Sequence, residues 1–129
     1  MNVSIEVSIG EFFDKLTILE IKKENVTDDT KLANIQKELD YLEQRLTALP
    51  FDRQDVLNEV NELKTINSKL WAIEDDIREK ESHKTFDDAF IDLARSVYFT
   101  NDKRSDVKRR INMKLGSDFV EEKSYEQYQ

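Results

Sequence analysis

Apolar residues recur along most of this chain at steps of three and four, the spacing that places side chains on one face of an α-helix. The pattern is unbroken over residues 28–49, and it continues over residues 54–81 after a short turn that contains Pro50. Two such segments joined by a short turn are typical of an antiparallel helical hairpin with a coiled-coil seam. The hairpin is therefore predicted over 28–49 and 54–81, with its seam formed by Leu32, Ile35, Leu39, Leu42, Leu46 and Leu49 in the first helix and by Val56, Leu63, Ile66, Leu70, Ile73 and Ile77 in the second.

Three further helices are predicted outside the hairpin. Ser8 followed by Glu11 is a capping-box pattern, and it predicts a helix over 9–25 that is apolar on most of its sides. A broad apolar face predicts a helix over 86–100, and Asn101 or Asp102 is expected to end it and to begin another over 102–115. Gly116 stands where a C-terminal cap is expected.

The composition supports one all-α domain. A chain of 129 residues has the usual length of a single domain, and with only two glycines and one proline it lacks the turn residues of an all-β fold. The unit is predicted to span 1–129, with 117–129 a polar tail that is partly disordered or docked through Phe119, Val120, Tyr125 and Tyr128. Cysteine is absent, and neither a signal peptide nor a membrane-spanning segment is evident, so a cytoplasmic location without membrane contact is expected.

Self-association is expected from the amount of apolar surface. The helix over 9–25 needs neighbours on several sides, and the hairpin helices are longer than the remaining helices can cover. The chain is therefore predicted to form a homodimer.

Charge is distributed unevenly. The net charge is −8, which argues against general binding to nucleic acid, yet residues 103–115 contain six basic residues and one acidic residue. A basic segment that follows a helix boundary with unpaired amides is typical of anion binding. The predicted anion-binding residues are Arg95, Tyr98, Asn101, Arg104 and Lys108, and the expected partners are a small molecule bearing phosphate or carboxylate, or an acidic protein. The alternative is that the basic side chains pair internally, notably with Glu74, Asp75 and Asp76.

Enzymatic alternatives were tested against the spacing of acidic residues. All-helical nucleotide pyrophosphohydrolases gather magnesium with acidic residues three apart on neighbouring helices. Such pairs occur here at Glu11 and Asp14, at Glu59 and Glu62, and at Asp76 and Glu79, but the last two pairs share one helix about 25 Å apart. They cannot meet at one metal within a subunit. No catalytic residue, metal or cofactor is predicted, and a small metal-dependent nucleotide pyrophosphohydrolase stays the alternative function.

Several stretches of the chain resemble an uncharacterised family of small all-helical bacterial proteins. The residues that carry the resemblance are those from Ser8 to Lys22, from Leu70 to Arg78, from Leu93 to Asp102 and from Glu121 to Tyr125. The resemblance implies genes that neighbour surface-polysaccharide glycosyltransferases. From the residues and the resemblance together, we expect a non-enzymatic helical interaction or anionic-ligand-binding module, accessory to glycan or sugar-nucleotide metabolism.

Overall fold

Four α-helices and one short 3-10 helix make up the regular structure of residues 1–128, the part of the chain that the computed structural model describes. The prediction of an all-helical fold is confirmed. None of these helices is both long enough and apolar enough to cross a membrane. Gln129, the last residue of the predicted unit and of its tail, lies outside the described residues. The helices are α1 (Ile9–Asn25), α2 (Asp29–Thr47), α3 (Leu57–Ser82) and α4 (Asp88–Leu115), and the 3-10 turn Arg53–Val56 leads into α3.

Side-chain caps fix where three of the helices begin. Ser8 Oγ accepts from the Glu11 amide at 3.1 Å, Asp28 Oδ1 from the Lys31 amide at 2.9 Å, and Asp87 Oδ1 from the Phe90 amide at 3.0 Å. Each cap satisfies an amide that has no partner inside the helix. Gly116 ends α4 in the left-handed region at φ 67°, as the sequence predicted.

The predicted break between helices over 86–100 and 102–115 was wrong, because α4 runs through it without interruption. Asn101 and Asp102 have cap-forming side chains, but those side chains are engaged elsewhere. Asn101 Oδ1 accepts from Arg104 Nη1 at 3.5 Å, and the Asp102 carboxylate accepts from the Tyr128 hydroxyl. With no glycine or proline present, the helix continues and its amides bond within it.

The long antiparallel hairpin is formed by α3 and α4, and the predicted hairpin over 28–49 and 54–81 does not form as an extended interface. α3 packs on α4 and on α1, whereas α2 packs on α1. Ion pairs from Lys114 to Glu59 at 3.1 Å and from Arg110 to Glu62 at 2.8 Å show that α3 and α4 are antiparallel. The spacing of apolar residues identifies a buried face but does not say which helix covers it.

The core surrounds α1, which explains why α1 is apolar on most sides. Its side chains meet α2, the 3-10 turn, the first half of α3 and the second half of α4. The fully or nearly fully buried apolar residues of this core are Phe13, Leu16, Leu19, Leu39, Leu42, Val56, Val60, Leu63, Val107 and Ile111.

The far end of the α3–α4 hairpin extends beyond this core. α1 has 17 residues, against 26 in α3 and 28 in α4, so it covers only part of the hairpin. No residue from 74 to 99 is buried. We call residues 74–99 the arm.

Candidate functional site

The first turn of α1 is held against the end of α4. The Gly10 amide donates to Asn112 Oδ1 at 2.6 Å, and the Ile9 amide donates to Ser117 Oγ at 3.2 Å. A Cβ added at Gly10 would lie 2.5 Å from the backbone oxygen of Lys108, so the two helices touch closely here. The amides that open α1 are therefore satisfied by the protein itself and are not available to a ligand.

A buried carboxylate joins α1, α3 and α4. Asp14 on α1 is 1% exposed, and its Oδ1 accepts from Arg104 Nε at 2.9 Å and from Asn67 Nδ2 at 2.9 Å. A second Arg104 nitrogen donates to Asp14 Oδ2, which makes the pair bidentate. Asn67 Nδ2 also donates to Thr17 Oγ1 at 3.1 Å. The hydrogen bond to Asp14 is the main reason that the pKa of Arg104 is raised.

Lys108 lies one turn beyond Arg104 on α4 and is 8% exposed. Its Nζ lies 2.7 Å from a Glu11 oxygen, 3.0 Å from a Glu121 oxygen and 3.7 Å from Asp14 Oδ2. Burial by itself would lower the pKa of Lys108, but the hydrogen bonds to Glu11 and Glu121 outweigh it and the pKa is raised. Lys108 is therefore a charged internal partner of three carboxylates.

A cleft of about 190 Å³ opens beside this cluster, between α1, α2 and α4. Arg104 lines it, and its side chain is 28% exposed there. Lys15, which pairs with Glu38 at 2.7 Å, and Lys22 also line the cleft. Its full lining is Glu11, Asp14, Lys15, Ile18, Leu19, Lys22, Glu38 and Arg104.

The structure brings together three of the five residues that the sequence proposed for anion binding. Asn101, Arg104 and Lys108 lie near Asp14, but only Arg104 opens onto the cleft. Arg95 lies on the arm with its guanidinium carbon 5.8 Å from the Phe99 ring centroid, and the Tyr98 ring contacts the tilted ring of Tyr128, with centroids 5.2 Å apart. The backbone amides at 101 and 102 are not available for anion binding, because α4 runs through these positions and no helix begins there.

The sequence did not identify the partners of these basic residues. The alternative of internal pairing named Glu74, Asp75 and Asp76, whereas the partners of Arg104 and Lys108 are Asp14, Glu11 and Glu121. A carboxylate within an otherwise apolar helix is the signal that could have found Asp14, because such a group needs a buried partner. Glu121 carries no comparable signal in the sequence.

Two of the three acidic pairs considered for metal binding, Glu11 with Asp14 and Glu59 with Glu62, serve as ion-pair partners instead. Glu59 pairs with Lys114 and Glu62 with Arg110, both across the α3–α4 hairpin. Asp76 and Glu79 line a separate cleft near the tip of the arm. In residues 1–128 no group of three histidine, cysteine, aspartate or glutamate side chains could hold a metal ion, so the metal-dependent alternative gains no support.

The buried Asp14–Arg104 pair joins α1 to α4 beside the cleft that Arg104 lines. Residues 3–128 match a family of unknown function (DUF6165), and the chain belongs to that family. This confirms membership of an uncharacterised family. Comparison with curated proteins and with solved structures finds no match.

Proposed function

We propose that the chain is a non-enzymatic helical binding module that holds one anionic group, a phosphate or a carboxylate, in the cleft between α1, α2 and α4. The main support for the proposal is that Arg104 is both held in place and partly exposed. Two hydrogen bonds to the buried Asp14 fix its guanidinium, yet the Arg104 side chain as a whole is 28% exposed and lines the cleft. An arginine fork that is already oriented loses little freedom when it binds an oxyanion.

Arg104 keeps donors for such a ligand. Its Nε and one Nη2 hydrogen are used by Asp14, whereas Nη1 has only the long contact with Asn101. Lys22 supplies a second cation, and it forms no ion pair within residues 1–128. Together they offer two positive groups to one oxyanion.

The cleft also has an acidic side, formed by Glu11 and Glu38. A polyphosphate would meet repulsion there, so a small ligand with a single anionic group fits best. A sugar nucleotide, which carries a diphosphate, is therefore expected to bind more weakly than inorganic phosphate. The role in glycan metabolism and the cytoplasmic location stay predictions made from the sequence.

Lys22→Ala is expected to weaken binding of phosphate or of a small carboxylate by about tenfold, since a hydrogen bond to a charged group contributes about 1.5–3 kcal/mol. Calorimetric titration of wild type and variant with inorganic phosphate, acetate and a sugar nucleotide would measure this. The neighbouring Lys23→Ala is the matched control, because Lys23 is exposed and does not line the cleft. If wild type binds none of the three at millimolar concentration, or if both variants lose affinity equally, the proposal is wrong.

We also propose that the arm pairs with the arm of a second copy. Phe86 is 56% exposed and Ile91 is 51% exposed, and the arm carries further half-exposed apolar side chains at Ile77, Phe90, Leu93 and Val97. Two antiparallel helices with one uncovered ridge have the shape of half a four-helix bundle, which a twofold axis completes. The arm is about 20 Å long. Such an interface lies near the lower end for specific association, about 1,000 Å², so we expect a dimer in the micromolar range.

The double variant Phe86→Ser, Ile91→Glu is expected to abolish self-association, because it places a charge in the arm face. Sedimentation equilibrium at tens of micromolar should show mass above the monomer for wild type and the monomer alone for the variant. Met113→Glu is the control, since Met113 is equally exposed at 56% but lies outside the arm. A wild type that is wholly monomeric at these concentrations, or a control that dissociates as the double variant does, refutes the dimer.

A further inference from the structure

The C-terminal tail, residues 117–128, runs back along α4. After Gly116 the Ser117 amide donates to the Asn112 carbonyl at 2.8 Å, which turns the chain. Glu121 then lies at Lys108 and Glu122 at Arg109, with separations of 3.0 and 3.1 Å. At its far end Tyr128 contacts Tyr98 and Phe99, with ring centroids 5.2 and 5.0 Å apart. The sequence expected docking through Phe119, Val120, Tyr125 and Tyr128, but Phe119 and Tyr125 are 53% and 70% exposed.

The surface under the tail combines two charges with two aromatic rings. We call it the tail groove and define it by Tyr98, Phe99, Lys108 and Arg109. Its occupant is non-helical and supplies two adjacent carboxylates and, six residues after the second, a tyrosine. Hydrogen bonds from Lys123 and from Lys108 lower the pKa of Glu121 to about 2, so this carboxylate is charged at neutral pH. The groove and the tail are therefore complementary in charge and in aromatic surface.

The contacts that hold the tail leave its own residues unburied. No residue from 118 to 128 is buried, and the Arg109–Glu122 pair is largely exposed, with side-chain exposures of 47% and 74%. Lys108 is buried, but it keeps Glu11 at 2.7 Å when Glu121 leaves. An exposed ion pair of this kind contributes little to stability, and an exposed aromatic contact adds only modestly to it. A segment held so weakly detaches and rebinds readily, unlike the helices of the core.

We propose that the tail groove is a docking site for an extended acidic segment of a protein partner, one with adjacent carboxylates and a tyrosine, and that the chain's own tail occupies the groove until such a segment displaces it. Because the tail is tethered, it competes at an effective concentration near the millimolar range. The groove adjoins the anion cleft through Lys108, whose Nζ lies 2.7 Å from Glu11 of the cleft lining, but Tyr98, Phe99 and Arg109 do not line the cleft. The probe for the partner is the tail sequence itself, supplied as a separate peptide.

The test measures binding of a fluorescent peptide of residues 118–128 to the full chain by anisotropy. The full-length variant Glu121→Gln, Glu122→Gln should bind the peptide about tenfold more tightly than wild type, because its own tail no longer fills the groove. Glu126→Gln is the matched control, since Glu126 contacts neither Lys108 nor Arg109, and it should bind as wild type does. A peptide with the same two glutamates replaced should lose binding.

A second substitution tests the groove itself. In the Glu121→Gln, Glu122→Gln background, Arg109→Ala should weaken peptide binding several-fold, whereas Lys103→Ala, an exposed lysine on the same helix, should not. Circular dichroism verifies that each variant is folded. If the peptide fails to bind the tail variant at millimolar concentration, if wild type and tail variant bind it equally, or if Lys103→Ala acts as Arg109→Ala does, the proposal is overturned. Loss of phosphate binding in the cleft would not produce any of these outcomes.

Discussion

Replacement of Asp14 by alanine is expected to lower the free energy of unfolding by about 3 kcal/mol, because removing one partner of a buried ion pair leaves the other charge without compensation. Arg104 would lose both of its strong acceptors, and Asn67 would lose one of its two. Lys108 keeps Glu11 and Glu121, and Arg104 can still reach water through the cleft, so the loss stays at the lower end of the range for such pairs.

Urea unfolding followed by circular dichroism would measure this change, with Asp40→Ala as the control. Asp40 is an exposed aspartate on α2, and its loss should change stability by no more than about 0.5 kcal/mol. A double-mutant cycle adds a sharper criterion, since Arg104→Ala should cost less in the Asp14→Ala background than in wild type. Additive costs would mean that the two side chains do not act as a pair.

Gly10→Ala is expected to destabilise the protein by about 1–3 kcal/mol, the usual cost of forcing extra atoms into a packed contact. Alanine is the better helix former by about 1 kcal/mol, so local propensity alone predicts the opposite sign. The close approach of α4 decides the outcome, because the new Cβ would lie 2.5 Å from backbone and 3.0 Å from Asn112 Oδ1. Backbone cannot move aside as a flexible side chain can.

Gly116→Asn is the matched control for this variant. Nothing lies within 4 Å of a Cβ at position 116, and asparagine tolerates the left-handed conformation that Gly116 adopts. Its unfolding free energy should therefore stay close to that of wild type. A Gly10→Ala protein at least as stable as wild type would show that α1 and α4 are not in close contact at this point.

Local signals in the sequence predicted the helices well and their neighbours poorly. Ser8 and Gly116 act through atoms a few residues away, so the start of α1 and the end of α4 were predictable. Asn101 and Asp102 carried the same kind of signal, but Arg104 and Tyr128 engage their side chains. Arg104 is three residues from Asn101 on the same helix, whereas Tyr128 is a tertiary partner of Asp102 that periodicity does not reveal.

In the candidate site, too, local features were predictable and tertiary partners were not. The basic character of residues 103–115 was evident from composition, and Arg104 and Lys108 are indeed close to each other. Their partners, however, are 90 or more positions away in α1 or lie in the irregular tail. Charge pairing across such distances depends on how the helices are arranged, and the sequence assigned α3 to the wrong neighbour.

The contact between the beginning of α1 and the end of α4 also bears on the order in which the protein can fold during synthesis. The amides of Ile9 and Gly10 cannot form their native hydrogen bonds until Ser117 and Asn112 have been synthesised, and these residues are translated more than one hundred residues later. Most of the apolar side chains that pack around α1 likewise belong to helices that follow it in the sequence. A chain emerging from the ribosome therefore presents α1 well before the residues that complete its packing, so native packing of α1 is reached only after α4 and Ser117 have been translated.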